Sequence, residues 1–370
     1  METPQPICMV RDAQGIRPLM PDERERVTGF FLFGEGFGDM ICLLPTVQKT
    51  AKQMDKRLDI WTRRPEVFAN HPLLNPIRSN DEALLAYLSK SNRMLIVSPV
   101  EIEGLPSRNQ VHIVEQPARG IVDLQPSDKE VRLYTTDEHR QRSAELLRPL
   151  DQTPKVVLHP NSSWEIRTWP SERWKQLTHG LLELGVQVVV VGSDVPNIGA
   201  TEQNILKGVF DLGLDHPSLL DLTNQTSLHE LREVIALCDL VITVDSGVLH
   251  VANCTDTHVL AIFTDIDPRF RTRIRNNQPN AYTTTIHSTC EKQYCQSWHG
   301  STGECIQSKH KRMCCLADRG TSARRGSGLS PRHAAVVTPL GQQKRPPSRE
   351  PFLKYVASVT SQLSCAPTRS

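Results

Sequence analysis

The chain has almost no excess of charge of either sign: 43 lysines and arginines stand against 41 aspartates and glutamates, a formal net charge of +2. That balance gives no reason to expect a nucleic-acid footprint, which needs cations clustered on one face. No apolar run approaches the roughly 20 residues that span a bilayer, so a transmembrane helix is excluded as well. The N-terminal 26 residues lack the apolar core of a signal peptide, which points to a cytoplasmic protein. Thiols stay reduced there, so the ten cysteines suggest metal binding or chemistry before disulfides.

What is present is enough chain, 370 residues, for two domains with a core each. Residues 1–26 are polar and read as a flexible leader. Residues 27–33 (VTGFFLF) read as a buried strand, followed by a glycine-rich turn and a helical pattern over 40–54. Further strands are expected at 58–61 and 93–97 and helices at 81–88 and 136–147, with little legible order between 70 and 132. These make an N-terminal α/β domain over 27–148, closed by a linker at 149–154. The second half is clearer. Strands at 155–159, 188–191, 240–244 and 259–263 are apolar throughout. They alternate with helices at 171–184 (Ser171 as N-cap), 201–207 and 228–237 (Ser227 as N-cap). Such a pattern predicts a parallel sheet covered on both faces, in a domain over 155–290. Residues 291–370 read as a cysteine-containing, largely disordered tail with a last helical pattern at 351–363. The texture breaks sharply near 309, and a shifted reading frame stays open beside disorder.

Three motifs carry chemistry. The first is the turn Gly34-Glu35-Gly36-Phe37-Gly38-Asp39, whose glycines let backbone approach a ligand at a helix start. A dinucleotide fingerprint, G-x-G-x-x-G, would need glycine where Asp39 stands, and a carboxylate there opposes a pyrophosphate. A plain structural turn with Asp39 as helix N-cap is the bland alternative. The second motif, His159 to Pro170, joins a strand to a helix at the carboxyl edge of a parallel sheet, where ligands bind. Ser162, Ser163 and Arg167 suit phosphate oxygens. Trp164 and Trp169 have the faces to stack on a base, although burial is the commoner fate of such rings. The third is Asp245-Ser246-Gly247-Val248-Leu249-His250, where Gly247 permits close approach and backbone N–H groups face outward.

Taken together, the G-x-G-D turn, the basic-x-Trp-Pro loop ending at Pro170 and V-x-x-D-S-G-x-x-H resemble the heptosyltransferases of glycosyltransferase family 9. The likeness spans roughly residues 30–270 and is strongest over 155–265. It implies the GT-B fold: two Rossmann-like domains with parallel sheets facing across a cleft. It also implies inverting transfer of a sugar, heptose favoured, from a nucleotide-sugar donor such as ADP-heptose. The acceptor would be a glycan, a lipopolysaccharide core or a protein, with no cofactor needed for catalysis. By motif, Asp39 takes the place of the general base, with Gly36 and Gly38 on the acceptor side. Arg167 takes that of a phosphate-neutralising lysine, and Asp245 through His250 form the donor loop with Ser162 and Ser163. Glu35 and Phe37 are bulkier than the family pattern.

Cys290, Cys295 and Cys305 have the makings of a structural iron or zinc site, with His299 as a substitute ligand. A subgroup that glycosylates autotransporter proteins has such a cysteine-liganded iron, though the spacing here does not clearly match. Cys42, Cys238 and Cys254 fall in apolar helical patterns and read as core. A peripheral place at the inner membrane stays open, as does the oligomeric state. Two other classes compete: an NAD(P)-dependent dehydrogenase built on residues 34–39, and a non-catalytic GT-B relative that binds a glycan.

Overall fold

The structure, a computed structural model, describes residues 9–34, 36–90, 92–97, 111–150, 154–160, 167, 169, 171–193, 214–263, 266–275, 278–279 and 282–287. Its start corrects the flexible leader. Met9–Asp12 (β1) and Gly15–Pro18 (β2) form an antiparallel hairpin, and β1 also pairs antiparallel with Met94–Val97 (β6), Val10 opposite Leu95. Covering a sheet edge removes unpaired backbone that would otherwise recruit another chain. Polar composition concealed the hairpin because charge helps to hold it. Arg17 donates to Asp12 at 2.8 Å and to both oxygens of Glu23 at 2.7 Å, while Val10 is fully buried.

Gly29–Leu32 (β3), Leu58–Thr62 (β4) and Leu74–Arg78 (β5) complete the first sheet, ordered β2-β1-β6-β3-β4-β5 and parallel from β6 to β5. Between β3 and β4 runs Phe37–Gln53 (α1), whose Met40, Ile41, Leu44, Val47 and Ala51 recur at helical spacing and are buried. Asp81–Leu88 (α2) covers the opposite face, where Leu84 and Leu88 join Phe31, Trp61 and Met94. Asp137–Leu146 (α3) follows, capped by Thr136, which accepts from the His139 N–H.

The second sheet contains Lys155–His159 (β7), Gln187–Val190 (β8), Leu219–Asp221 (β9), Leu240–Val244 (β10), His258–Phe263 (β11) and Thr283–His287 (β14). Its order is β14-β11-β10-β7-β8-β9, all parallel. Ile274–Arg275 (β12) and Gln278–Pro279 (β13) make a small antiparallel ribbon beside it. Its helices are Ser171–Glu183 (α4), Leu228–Ala236 (α5) and Gly247–Asn253 (α6). Side chains alternate across the sheet, as a period of two requires. Val156, Leu158, Val188, Leu240 and Ile242 pack under α4 around Trp174. Val157, Val189, Val241 and Val259 face the other way and share one continuous core with α1 and α6 of both halves. α3 also reaches across to α5: Ser143 Oγ donates to Glu230 O at 3.0 Å, and the His139 ring stacks on that of His229, 4.8 Å away. Among the described residues no helix is long and apolar enough to cross a membrane. The helical patterns at 201–207 and 351–363, and the tail over 291–370, lie outside the described residues.

Candidate active site between the two sheets

Strand β3 ends at Leu32, and the chain turns through Gly34 into α1; β10 ends at Val244 and turns through Asp245 and Ser246 into α6. The two helix starts abut. A Cβ added to Gly38 would lie 2.6 Å from Cδ2 of His250 and 3.5 Å from the Gly247 Cα; one added to Gly247 would lie 3.8 Å from the Gly38 N. Only glycine at 38 admits this approach, so the two turns expected to hold the reaction meet at one point.

The first turn also corrects a detail. The N-cap of α1 is Gly36, and Asp39 is the third helical residue rather than the cap. Its carboxylate folds back over Gly36, since a Cβ there would sit 2.7 Å from Asp39 Oδ2. A negative group in a first helical turn is favoured by the backbone dipoles. The Phe37 ring lies under the Arg64 guanidinium, 4.4 Å from the ring centroid.

His250 is buried, and its Nδ1 lies 3.4 Å from Cys42 Sγ on α1. Burial pushes the Cys42 thiol well above its ordinary range and His250 down to about 4, so at neutral pH the pair is a thiol beside a neutral imidazole. A thiol donating to Nδ1 leaves the ring proton on Nε2, at the junction with Gly38. Cys42, Cys238 and Cys254 are all buried, as their apolar settings suggested.

On the second sheet, Arg167 Nη1 lies 3.4 Å from Asp245 Oδ2, and both side chains are largely buried. Asp245 therefore fixes a cation beside the donor loop. Ser246 Oγ and Thr243 Oγ1 both contact Nδ1 of His159, at 3.1 and 3.2 Å. Trp169 packs edge-on against Trp174 and is buried, so it is a core residue. Val248 and Leu249 turn their side chains into the core, and the Leu249 N–H returns to Ser246 O at 3.1 Å. Ser162, Ser163 and Trp164 lie outside the described residues, as do Cys290, Cys295, His299 and Cys305. Among the described residues no three His, Cys, Asp or Glu side chains gather as metal ligands.

Two features of the site carry no motif role in the sequence. His159 stood at the head of a motif without a role. Arg269, Arg271, Arg273 and Arg275 alternate in the sequence, and three of them are buried or nearly so. Arg273 donates to the carbonyls of Ala252 and Thr257 at 2.6 and 3.0 Å, and Arg275 to those of Asn253 and Thr255 at 3.2 and 3.3 Å. Cations there satisfy the carboxyl end of α6 and hold the far end of the helix that carries the donor loop. Burial brings Arg273 down to about 10. The segment is pinned from the first half of the chain, with His112 Nε2 2.7 Å from Thr272 O and the Ile113 N–H donating to Phe270 O at 2.9 Å.

The family model for glycosyltransferase family 9 (heptosyltransferase) matches residues 107–299, more than half of the chain, and the chain belongs to that family. It is 20% identical over 240 residues to lipooligosaccharide heptosyltransferase 2 of Haemophilus influenzae, covering 63% of this chain and 62% of that one. The chain thus spans about three-fifths of the length of that curated relative. Among solved structures it is similar to ADP-heptose LPS heptosyltransferase II of E. coli, with a TM-score of 0.54 at 16% identity, covering 74% of this chain and 94% of that one. It is also similar to TibC, an iron-containing dodecameric glycosyltransferase of enterotoxigenic E. coli, with a TM-score of 0.55 at 13% identity, covering 80% and 76%. TibC has also been solved in complex with ADP-D-beta-D-heptose. At these identities the likeness carries the fold, and the architecture is GT-B.

Proposed function

We propose that this protein is an inverting glycosyltransferase that moves a sugar, heptose favoured, from a nucleotide-sugar donor such as ADP-heptose to a glycan, lipopolysaccharide or protein acceptor in the cytoplasm. The observation that carries this reading is the meeting of the Asp39 turn with the Asp245–His250 loop at Gly38. A base on one sheet and a cationic loop on the other are what a displacement at a sugar carbon needs. Asp39 accepts the proton of the attacking acceptor hydroxyl. Arg167, held by Asp245, offsets the charge that grows on the departing diphosphate, and the hydroxyls of Ser162, Ser163 and Ser246 bind its oxygens. Gly36 and Gly38 form the acceptor-side turn, letting the Asp39 carboxylate fold back over Gly36 and the donor loop approach at Gly38.

The chemistry so written is complete with side chains alone. Cys290, Cys295 and Cys305 are the residues that would hold a structural iron or zinc ion, and elemental analysis of the purified protein tests this. The test of function is Asp39→Asn. Removing the base should lower turnover about 10²- to 10⁴-fold with ADP affinity unchanged. Undiminished turnover would remove Asp39 from the mechanism.

A further inference from the structure

His159 is the last residue of β7 and is 7% exposed. Its imidazole sits among three strand ends: its own, that of β8 through Gly192, and that of β10 through Thr243. A Cβ on Gly192 would touch the ring at Cδ2 and Nε2, 3.5 and 3.7 Å away, and Gly192 has φ +153°, a backbone form that favours glycine. Among the described residues its polar partners are at Nδ1, Thr243 Oγ1 at 3.2 Å and Ser246 Oγ at 3.1 Å.

The protons in this triangle can be counted. Thr243 Oγ1 donates to Val244 O at 3.0 Å, its nearest acceptor, and also lies 3.3 Å from Ser246 Oγ, where either hydroxyl has the geometry to donate. With its proton on Val244 O, Thr243 accepts toward His159. An Nδ1 without a proton would set two lone pairs against each other at 3.2 Å, whereas an Nδ1–H satisfies Thr243 and reaches Ser246 Oγ as well. The ring is neutral, because burial brings it down to about 4, and with Thr243 donating to Val244 O the arrangement assigns its single proton to Nδ1. Ser246 is also diverted from its ordinary task. It occupies the N-cap of α6, where serine usually accepts from a first-turn N–H, yet its side chain makes no such bond.

We propose that His159 is a positioning residue for Ser246: its Nδ1–H holds Ser246 Oγ as an acceptor and so turns the serine's own proton toward a phosphate oxygen of the nucleotide sugar. This rests on the donor-loop reading of Asp245–His250. His159 touches no reacting atom and acts through Ser246.

Calorimetric titration with ADP tests it on the full-length protein and on His159→Leu, His159→Asn, Ser246→Ala and the Ser246→Ala/His159→Leu double variant. Losing the hydrogen bond in His159→Leu should weaken ADP about 3- to 10-fold. His159→Asn should stay within about twofold, because its amide N–H takes the place of Nδ1–H. In the Ser246→Ala background His159→Leu should add nothing. An equal loss in both backgrounds, or an asparagine as damaging as leucine, would overturn the proposal in favour of a packing role. Imidazole ¹⁵N shifts of the unsubstituted protein at pH 7 give a second readout that needs no variant to fold. Protonated Nδ1 with bare Nε2 supports the arrangement, and the opposite tautomer overturns it. If the unsubstituted protein binds no ADP, the donor-loop reading itself fails; if it binds ADP but shows no coupling, only the His159 proposal fails.

Discussion

Gly38→Ala tests the meeting of the two turns by putting one methyl group into it. The added Cβ would sit 2.6 Å from His250 Cδ2, where carbon atoms ordinarily rest 3.5–4.0 Å apart. About 1 Å of clearance must therefore be found. The His250 ring has little freedom to yield, being buried with Nδ1 against Cys42 Sγ at 3.4 Å. Overpacking of this kind costs about 1–3 kcal/mol. Against it stands the helix preference for alanine over glycine, about 1 kcal/mol in a helix interior and less in the first turn. The clash wins, for a net loss of about 1–2 kcal/mol. Gly180→Ala in α4 is the control, since nothing lies within 4 Å of its added Cβ, and there the same substitution should stabilise by about 0.5–1 kcal/mol. Urea unfolding of the two variants reads the difference directly. In a His250→Ala background the Gly38→Ala loss should disappear. A Gly38→Ala protein that unfolds like Gly180→Ala, or one that His250→Ala does not rescue, would refute the contact.

Gly29→Ala should be worse, about 3 kcal/mol or more, because its Cβ would lie 2.1 Å from the backbone oxygen of Asp59 in the paired strand, and neither strand can retreat; a soluble yield and circular dichroism spectrum equal to those of the native chain would contradict this. Acid should destabilise the fold between about pH 6.5 and pH 4. His112, His159 and His250 are held near 4 by burial, so the unfolded chain binds more protons in that window and stability falls as pH drops. Each buried ring adds a slope of up to about 1.4 kcal/mol per pH unit, and urea midpoints that match at pH 7.5 and 4.5 would show the rings to be charged or exposed in the native state.

Much of the second sheet was legible because its strands are apolar on both faces. The runs at 155–159 and 240–244 coincide with β7 and β10, and Ser227 caps α5 as expected. The hairpin over Met9–Pro18 was not legible, since Arg17, Asp12 and Glu23 read as a solvated stretch until their pairing is seen. β5, β9 and β14 are carried by too few apolar residues, LNPIR, LLD and TTTIH, to stand out from loops. At the site, residue types at fixed spacing named the Asp245–His250 loop. Contacts between residues as distant as Cys42 and His250, 208 positions apart, leave no local pattern to read. His159 and the alternating arginines were visible letters whose partners only the fold supplies.

Calorimetric titration with ADP-, UDP-, GDP- and dTDP-sugars tests most directly whether the second sheet holds a nucleotide-sugar site served by Arg167. Saturable binding is expected, strongest for the ADP-sugar, that Arg167→Ala weakens at least about tenfold and Arg167→Lys retains in large part, because a charged contact contributes about 1.5–3 kcal/mol. Binding of none of the four, or binding that Arg167→Ala leaves untouched, would contradict it.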